Sequence, residues 1–334
     1  MSMPPITHCP SLLTAGFNTY SPPALNRLFS GKKVAHVLEY DAPWTNDSDD
    51  SKFMDNSKRI SISGVQEKYS LIQEKNRLRL TENGEQGTHI LKPAPVQLKR
   101  HRELPANEHV TMQIAAQVYN INTAHYAEIF FKNGEGAYIT RRFDVGPDGN
   151  KLAKEDFATL AGKSTATGGT NFKYDGSYEA IGRLIQQFAP AWRVETEKFL
   201  SLVIFNYLFS NGDAHLKNFA LLETGKGDHI LSPAYDLVNT RLHIDDGDFA
   251  MEKGLFEDGF RSATFQQHGH AGKADFLELA RRLGMGSGRI ERLLVFYGRE
   301  YPMIEGLVTQ SFLTPETQKH YLADYRTRLK HFNA

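Results

Sequence analysis

The chain has 334 residues, of which 40% are hydrophobic, and its 39 Lys and Arg residues are balanced by 39 Asp and Glu residues. This length suffices for one large domain or two modest ones, and the zero net charge disfavours direct nucleic-acid binding by the chain alone. A single cysteine, Cys9, excludes an intrachain disulfide and fits a reducing compartment. The sequence has neither a signal-peptide pattern nor an apolar run long enough for a membrane span, so we expect a cytoplasmic protein.

The first 59 residues are predicted to form an N-terminal extension that ends in a flexible connection. Residues 21–29, with proline near the start, predict a short helix. Residues 33–40 have strand character, and residues 45–59 are rich in Asp, Asn and Ser, which is typical of a flexible connection.

Residues 60–145 predict a β-rich N-lobe. Apolar and polar residues alternate up to residue 81, and a further strand precedes the prolines at 93 and 95. Residues 104–120 predict an amphipathic helix that Asn107 would cap, and residues 125–145 predict a hairpin around an Asn-Gly turn. The predicted order is therefore three strands, one helix and two strands.

Residues 146–334 predict a mainly helical C-lobe. Five segments have helical spacing, namely residues 178–188, 194–210, 273–285, 287–301 and 314–332. The exception is a tight hairpin, predicted within residues 218–238, whose turn contains glycine.

The loop "NGDAHLKNF", residues 211–219, follows the most apolar stretch of the chain. Protein kinases place a catalytic Asp and a metal-binding Asn five residues apart on one loop, and a short hairpin then leads to a second metal-binding Asp. Asp213 and Asn218 have this spacing, and the predicted hairpin leads to Asp236. We therefore predict Asp213 as the catalytic base, with Asn218 and Asp236 as Mg²⁺ ligands, since Mg²⁺ prefers oxygen ligands.

The same loop residues have simpler interpretations. Asp213 and Asn218 are also common turn residues at helix ends. His215 either holds the loop through packing and hydrogen bonds, which we favour, or acts as a base. Lys217 either contacts the transferred phosphoryl group or is solvated.

In the N-lobe, a kinase needs a loop that covers the nucleotide phosphates. Residues 61–68, "SISGVQEK", occupy that place between strands, and backbone N–H groups in such a turn can bind an anion. An ordinary hairpin turn is the alternative, because one glycine is a weak motif. The candidate nucleotide contacts in this loop are Ser61, Ile62, Ser63, Gly64, Val65, Gln66 and Lys68.

A kinase also needs a strand lysine that holds phosphates and a helical glutamate that pairs with it. Lys92 lies on the predicted strand of "THILKPAP", and Glu108 lies in the first turns of the helix that follows. A solvent-facing lysine and a glutamate that interacts with the helix dipole are the alternatives.

Seven segments in this order resemble the HipA-like toxin kinases of bacterial toxin–antitoxin systems. They cover roughly residues 60–240 and read "ISISGVQEKYSL", "HILKPAP", "NEHVTMQIA", "YITRRFD", "KEDFATLAG", "FNYLFSNGDAHLKNFALL" and "LSPAYDL". The resemblance implies an α+β, divergent two-lobed kinase fold and a serine/threonine protein kinase that uses ATP and Mg²⁺. It implies the roles given above for Asp213, Asn218, Asp236 and Lys92.

The resemblance also implies further site residues and a mode of regulation. Arg142 and Phe143 would lie at the hinge beside adenine, and Glu155 with Asp156 would form a polar segment near the active site. Ser61 or Ser63 would be autophosphorylated. The added negative charge would lie where ATP phosphates bind and would silence the kinase.

Partners are implied by the same resemblance. About 55 residues precede the phosphate loop, which resembles the short, HipT-like form whose N-terminal subdomain is a separate small HipS-like protein. Such kinases pair with a helix-turn-helix, HipB-like antitoxin. Known family substrates are aminoacyl-tRNA synthetases, whose phosphorylation stops translation.

Two rival functions stay open from the sequence. A pseudokinase could act as a scaffold in an antitoxin–repressor complex, although the intact Asp213, Asn218 and Asp236 argue against it. A metal-dependent hydrolase could use Asp213, His215 and Asp236, but this would leave Lys92 and the serine loop without a role.

Overall fold

The computed structural model of the protein describes residues 5–43, 67–95, 98–146 and 148–334. The predicted connection at 45–59 and the loop residues 61–66 lie outside the described residues. The chain divides into two compact units. Unit 1 comprises Met1–Gln113, Ala124–Asn150 and Gly306–Gln318, and unit 2 comprises Ile114–Thr123, Lys151–Glu305 and Lys319–Ala334.

Unit 1 is built around a five-stranded antiparallel sheet. Its strands are β1 (Tyr69–Glu74), β2 (Arg77–Leu80), β3 (His89–Pro93), β4 (Tyr126–Phe130) and β5 (Gly136–Arg141). They lie in the order β2-β1-β3-β5-β4. Within the described residues, the predicted strand before the prolines and the predicted hairpin at 125–145 are confirmed. The single strand predicted at 68–81 is instead two antiparallel strands, β1 and β2, joined by a turn in which Lys75 has a φ of 55°.

The N-terminal residues of unit 1 pack against one face of this sheet. Helix α1 (Pro22–Phe29) forms as predicted, and its Leu28 and Phe29 join Leu71, Leu91 and Ile139 in one buried apolar cluster. The predicted strand at 33–40 is wrong, because only Val37 forms a bridge, with Phe130. Residues 5–43 therefore contribute buried side chains to the core of unit 1.

The helix predicted at 104–120, whose residues up to Gln113 belong to unit 1, differs from its prediction. Helix α2 runs from Leu104 to Gln117, so Asn107 is an interior residue and not the cap. Asn107 is fully buried and its backbone carbonyl accepts a 2.8 Å hydrogen bond from the Thr111 hydroxyl. The helix is buried on nearly all sides rather than amphipathic, since most residues from Leu104 to Ala115 are inaccessible to solvent.

Unit 2 is mainly helical. Its helices are α3 (Phe157–Leu160), α4 (Thr165–Gly168), α5 (Tyr178–Phe188), α6 (Trp192–Leu208), α7 (Ala263–His268), α8 (Lys273–Arg282), α9 (Ser287–Tyr297), and α11 (Pro315–Asn333) from residue 319 onward. Helix α10 (Pro302–Gln310) begins in the same unit. The five predicted helices are confirmed, whereas α3, α4, α7 and α10 were not predicted.

A small sheet in unit 2 positions the loop of interest. Strands β6 (Lys154–Asp156), β7 (Ala220–Glu223) and β8 (His229–Leu231) pair antiparallel in that order. The β7–β8 hairpin is the predicted one, and β6 is an additional strand. Together with α6, β7 fixes both ends of residues 209–219.

The described residues contain no helix that is both long and apolar enough to span a membrane. The prediction of a mixed fold, with a β-rich first part and a mainly helical second part, is confirmed.

Candidate active site

The loop that carries Asp213 begins where α6 ends. Ser210 adopts a left-handed conformation, with φ of 52°, and so turns the chain out of the helix. The Asn211 backbone N–H then donates a 2.8 Å hydrogen bond to the carbonyl of Asn206 in the last turns of α6. Asn211 is only 3% exposed, so the loop starts from a rigid, buried point.

Asn211 and Thr240 hold this loop from two sides. The Asn211 side-chain amide donates to the backbone carbonyl of Asp236 at 3.2 Å, and its Oδ1 accepts from the Asp213 N–H at 3.3 Å. Thr240 Oγ1 accepts from the Gly212 N–H at 2.9 Å and donates to the Ser210 carbonyl at 2.9 Å. These hydrogen bonds couple the position of Asp213 to the segment that contains Asp236.

Asp213 has one engaged and one accessible carboxylate oxygen. The Tyr174 hydroxyl donates a 2.7 Å hydrogen bond to Oδ1, whereas Oδ2 lies 3.9 Å from His215 Nε2. The Asp213 side chain is 44% exposed. A base that receives the proton of an incoming hydroxyl needs this combination of fixed orientation and access. Burial raises the pKa of Tyr174, and the hydrogen bond to the Asp213 carboxylate raises it further.

His215 packs against Tyr174, and the structural role that we favour for it stays a prediction. Its ring is buried and packs edge-to-face against Tyr174, with 5.2 Å between the ring centroids. Burial lowers its pKa to about 4, although the carboxylates of Asp213 and Asp236 oppose this shift. The ring is therefore neutral near pH 7. The His215 backbone N–H donates to Asn218 Oδ1 at 3.1 Å, which orients the Asn218 side chain.

Asn218 and Asp236 come together, although 18 residues separate them in the chain. Asn218 lies in the 3₁₀ turn Leu216–Asn218, and its amide donates to Asp236 Oδ2 at 3.3 Å. Asp236 has φ of 57°, a strained conformation that often marks functional sites. The Asn218 Oδ1 and the Asp236 carboxylate are the kinds of oxygen ligand that Mg²⁺ prefers. In the observed arrangement the amide nitrogen, not Oδ1, faces Asp236, so a divalent cation held by both residues would take the place of this hydrogen bond.

Lys217 lies between His215 and Asn218 in the chain, and its side chain lies near the Phe172 ring. Its Nζ lies 5.9 Å from the centroid of the Phe172 ring, and its backbone carbonyl accepts a 2.8 Å hydrogen bond from the Tyr235 hydroxyl. The side chain is half-buried. The described contacts thus give Lys217 an aromatic neighbour, and its role toward phosphate stays a prediction.

Unit 1 contains the predicted lysine–glutamate pair. Lys92 Nζ lies 2.6 Å from Glu108 Oε1, and both side chains are only 4% exposed. Lys92 Nζ also lies 5.1 Å from the centroid of the Tyr138 ring, which is directly opposite in the neighbouring strand. Charged side chains are rarely buried to this degree unless they are paired, because desolvation is costly. A buried ion pair on a sheet face is therefore an unusual feature that function would explain.

The remaining predicted residues have the following places. The Arg142 guanidinium makes a two-pronged contact with the Asp144 carboxylate, at 3.0 and 2.6 Å. Phe143 and Lys68 are half-buried in unit 1. In unit 2, Glu155 lies in β6 opposite Leu221, and Asp156 caps helix α3 by accepting a 2.9 Å hydrogen bond from the Thr159 N–H. Asp156 thus has a structural role.

Three contact residues were missed by the sequence analysis, namely Tyr174, Asn211 and Thr240. Asn211 lies within the predicted loop, but the loop pattern indicates no role for it. Tyr174 lies 39 residues from its partner Asp213, and Thr240 lies 28 residues from its partner Gly212, so no local pattern indicates either contact. Only the tertiary structure brings them to the loop.

Within the described ranges, no group of three or more His, Cys, Asp or Glu residues is arranged to hold a metal ion. A kinase site needs fewer carboxylate and imidazole ligands, because phosphate oxygens of the nucleotide and an amide oxygen, here that of Asn218, complete the coordination of the metal.

The β-rich unit 1 and the mainly helical unit 2 have the fold of a divergent protein kinase. The family described as HipA-like C-terminal domain matches residues 60–295, more than half of the chain, and the chain belongs to this family.

Named relatives agree with this membership. A putative kinase of Haemophilus influenzae is 26% identical over 82% of this chain and 82% of its own length. The serine/threonine-protein kinase toxin HipA of Shewanella oneidensis is 25% identical over 82% of this chain and 63% of its own length. The chain therefore spans less than two thirds of the Shewanella toxin.

A solved structure of Shewanella oneidensis HipA, in complex with HipB and operator DNA, has the same fold. The TM-score is 0.60 at 23% identity, and the match covers 81% of this chain and 63% of the solved chain. Together with the names of the relatives, the shared fold supports a kinase as the general class of this protein.

Proposed function

We propose that this protein is an ATP- and Mg²⁺-dependent serine/threonine protein kinase that acts as a toxin. The observation that carries the proposal is that Asn218 and Asp236 come together at the loop that presents Asp213. The Asn218 amide nitrogen lies 3.3 Å from Asp236 Oδ2. Family membership and the buried Lys92–Glu108 pair support it independently.

In the proposed reaction, an acceptor serine or threonine oxygen attacks the γ-phosphorus of ATP. The new O–P bond forms as the bond between the γ-phosphorus and the bridging oxygen to the β-phosphate breaks, and ADP leaves. The acceptor proton passes to the Asp213 carboxylate, whose orientation Tyr174 fixes. Mg²⁺, held by Asn218 and Asp236, would neutralise phosphate charge. Lys92 would bind phosphate oxygens, and Glu108 would orient Lys92.

The target and the partners belong to the proposal. We expect the acceptor to be a serine or threonine of an aminoacyl-tRNA synthetase in the cytoplasm, so that phosphorylation inhibits translation. The Shewanella HipA complex with HipB and operator DNA supports a helix-turn-helix antitoxin as a partner. A small HipS-like protein is a further proposed partner.

Autophosphorylation at Ser61 or Ser63 is the proposed regulation, and Arg142 with Phe143 is proposed to contact adenine. A phosphosite map of the purified chain tests the first point. If the loop phosphate is purely inhibitory, Ser61→Ala combined with Ser63→Ala retains kinase activity, whereas complete loss of activity would contradict this role.

The deciding experiment incubates the dephosphorylated protein with γ-labelled ATP and Mg²⁺, beside Asp213→Ala and Asp213→Asn. We expect label on the wild type and on neither variant, with thermal unfolding of Asp213→Asn close to that of the wild type. An unlabelled wild type that still binds its antitoxin would favour the scaffold, and an unfolded Asp213→Asn would make the residue structural.

A further inference from the structure

The last helix of the chain contacts the segments that carry Asp213 and Asp236. Helix α11 ends at Asn333, whereas the family match ends at residue 295. Two of its side chains reach loop residues that flank the proposed site. These loop residues are Ser210, three positions before Asp213, and Asn239, three positions after Asp236.

Arg328 provides the contact on the Asp213 side. It is only 1% exposed, pairs with the Asp248 carboxylate, and donates from Nε to Ser210 Oγ at 3.4 Å. Its guanidinium carbon lies 5.2 Å from the centroid of the Tyr207 ring in the last turn of α6. A guanidinium is well suited to such a site, because its planar donors can serve two acceptors and an aromatic face at once.

Aromatic stacking strengthens this contact. The Tyr325 ring stacks on Phe209, the residue after α6, with centroids 4.9 Å apart and ring planes 10° apart. Phe209 and Ser210 are thus packed against α11 just where the chain turns toward Asp213. Stacked pairs of this kind contribute beyond their buried area.

Asp324 provides the contact on the Asp236 side. Its carboxylate accepts a 3.1 Å hydrogen bond from the side-chain amide of Asn239, which is 1% exposed. Thr240, the next residue, bonds to both Ser210 and Gly212. Helix α11 therefore holds the two segments from one side while Thr240 ties them together.

We infer that α11 is a positioning element of the active site, and that Asp324 and Arg328 are positioning residues for phosphoryl transfer. Neither touches the reacting atoms. They fix the backbone that sets the distance between the proposed base and the proposed metal ligands, and small displacements of such groups slow catalysis steeply. This inference rests on the proposed function for its catalytic consequence, but its structural part does not.

The test uses the full-length protein with Asp324→Ala, Asp324→Asn and the control Arg326→Ala. Arg326 lies on the same helix but pairs with Glu300 and Glu305. Three quantities are measured, namely turnover of ATP to ADP at varied ATP concentration, hydrogen exchange in peptides 208–216 and 234–242, and thermal unfolding.

We expect Asp324→Ala to lower kcat about tenfold and to change KM for ATP less than twofold, with faster exchange in both peptides. Asp324→Asn keeps an acceptor oxygen for Asn239 and should retain activity, as should Arg326→Ala. Arg328→Lys, which keeps a cation for Asp248 but loses the guanidinium donors, should resemble Asp324→Ala.

Unchanged turnover and exchange in Asp324→Ala would overturn the inference, as would equal losses in Asp324→Ala and Arg326→Ala. A wild type without turnover would contradict the proposed kinase function instead. In that case, the exchange measurement alone decides whether α11 holds the two segments.

Discussion

The Tyr174 hydroxyl donates a 2.7 Å hydrogen bond to Oδ1 of Asp213, and this contact leaves 44% of the Asp213 side chain exposed. The phenol therefore orients the carboxylate without covering it. The second oxygen stays accessible to an acceptor hydroxyl.

Tyr174→Phe should lower kcat about tenfold and leave KM for ATP nearly unchanged, because a hydrogen bond to a charged group contributes about 1.5–3 kcal/mol. Steady-state label transfer measures both constants. Tyr301→Phe is the matched control, since its hydroxyl bonds to the Phe296 carbonyl, at 2.9 Å. Higher activity in Tyr174→Phe would mean that the phenol blocks the base instead of orienting it.

The buried Lys92–Glu108 pair predicts opposite effects on stability and activity. Lys92→Met alone removes the cation beside the buried Glu108 carboxylate and should lower the free energy of unfolding by about 3–5 kcal/mol. Adding Glu108→Leu should restore much of this loss, but the double variant should stay inactive because no cation holds the phosphates. Urea unfolding and label transfer measure the two effects. Recovery of activity in the double variant would remove Lys92 from the site.

The left-handed backbone of Asp236 predicts different stabilities for two substitutions of this residue. Asn tolerates this conformation better than Ala, so Asp236→Ala should unfold more easily than Asp236→Asn, by about 1 kcal/mol. Both variants lose the carboxylate, and both should lose Mg²⁺-dependent label transfer. Full activity of Asp236→Asn at ordinary Mg²⁺ concentrations would contradict the proposed metal ligand.

Buried histidines predict a loss of stability in mild acid. Burial lowers the pKa of His109 to about 4, and that of His89 to about 4. Because these values lie below the unfolded value of about 6.5, the unfolded chain binds more protons between the two values. The contribution of the two neutral histidines to the free energy of unfolding is therefore complete above about pH 6.5 and is lost progressively as the pH falls toward 4.

His109 Nε2 lies 3.0 Å from the Ser11 carbonyl, which only accepts, so this nitrogen carries the proton. His109→Gln preserves a donor and removes one titrating group. Its urea unfolding free energy should fall less between pH 7.5 and pH 5 than that of the wild type. Equal pH dependence of the two proteins would show that His109 does not contribute.

Local patterns predicted many of the elements. The helix at 178–188 has its predicted bounds, because its periodic apolar face and Ser177 cap define both position and length. Residues 33–40 have strand composition but form a single bridge, at Val37, with Phe130. Asn107 was predicted to cap its helix, but a 3₁₀ turn at His101–Glu103 leads directly into the helix, which begins at Leu104 and so before Asn107.

Local patterns likewise predicted only some residues of the candidate site. Asp213, Asn218 and Asp236 were predictable because a fixed spacing and one hairpin relate them along the chain. Tyr174, Thr240, Asp324 and Arg328 were not, since their contacts join residues 28 to 118 positions apart. Tertiary packing, which no local spacing encodes, brings them together.

The most direct test of the central claim is a crystal structure with Mn²⁺ and a non-hydrolysable ATP analogue, recorded at a wavelength that locates manganese by anomalous scattering. We expect a manganese peak within bonding distance of Asn218 Oδ1 and of an Asp236 carboxylate oxygen, with analogue phosphates completing the coordination. A bound nucleotide whose metal lies away from both residues would contradict it.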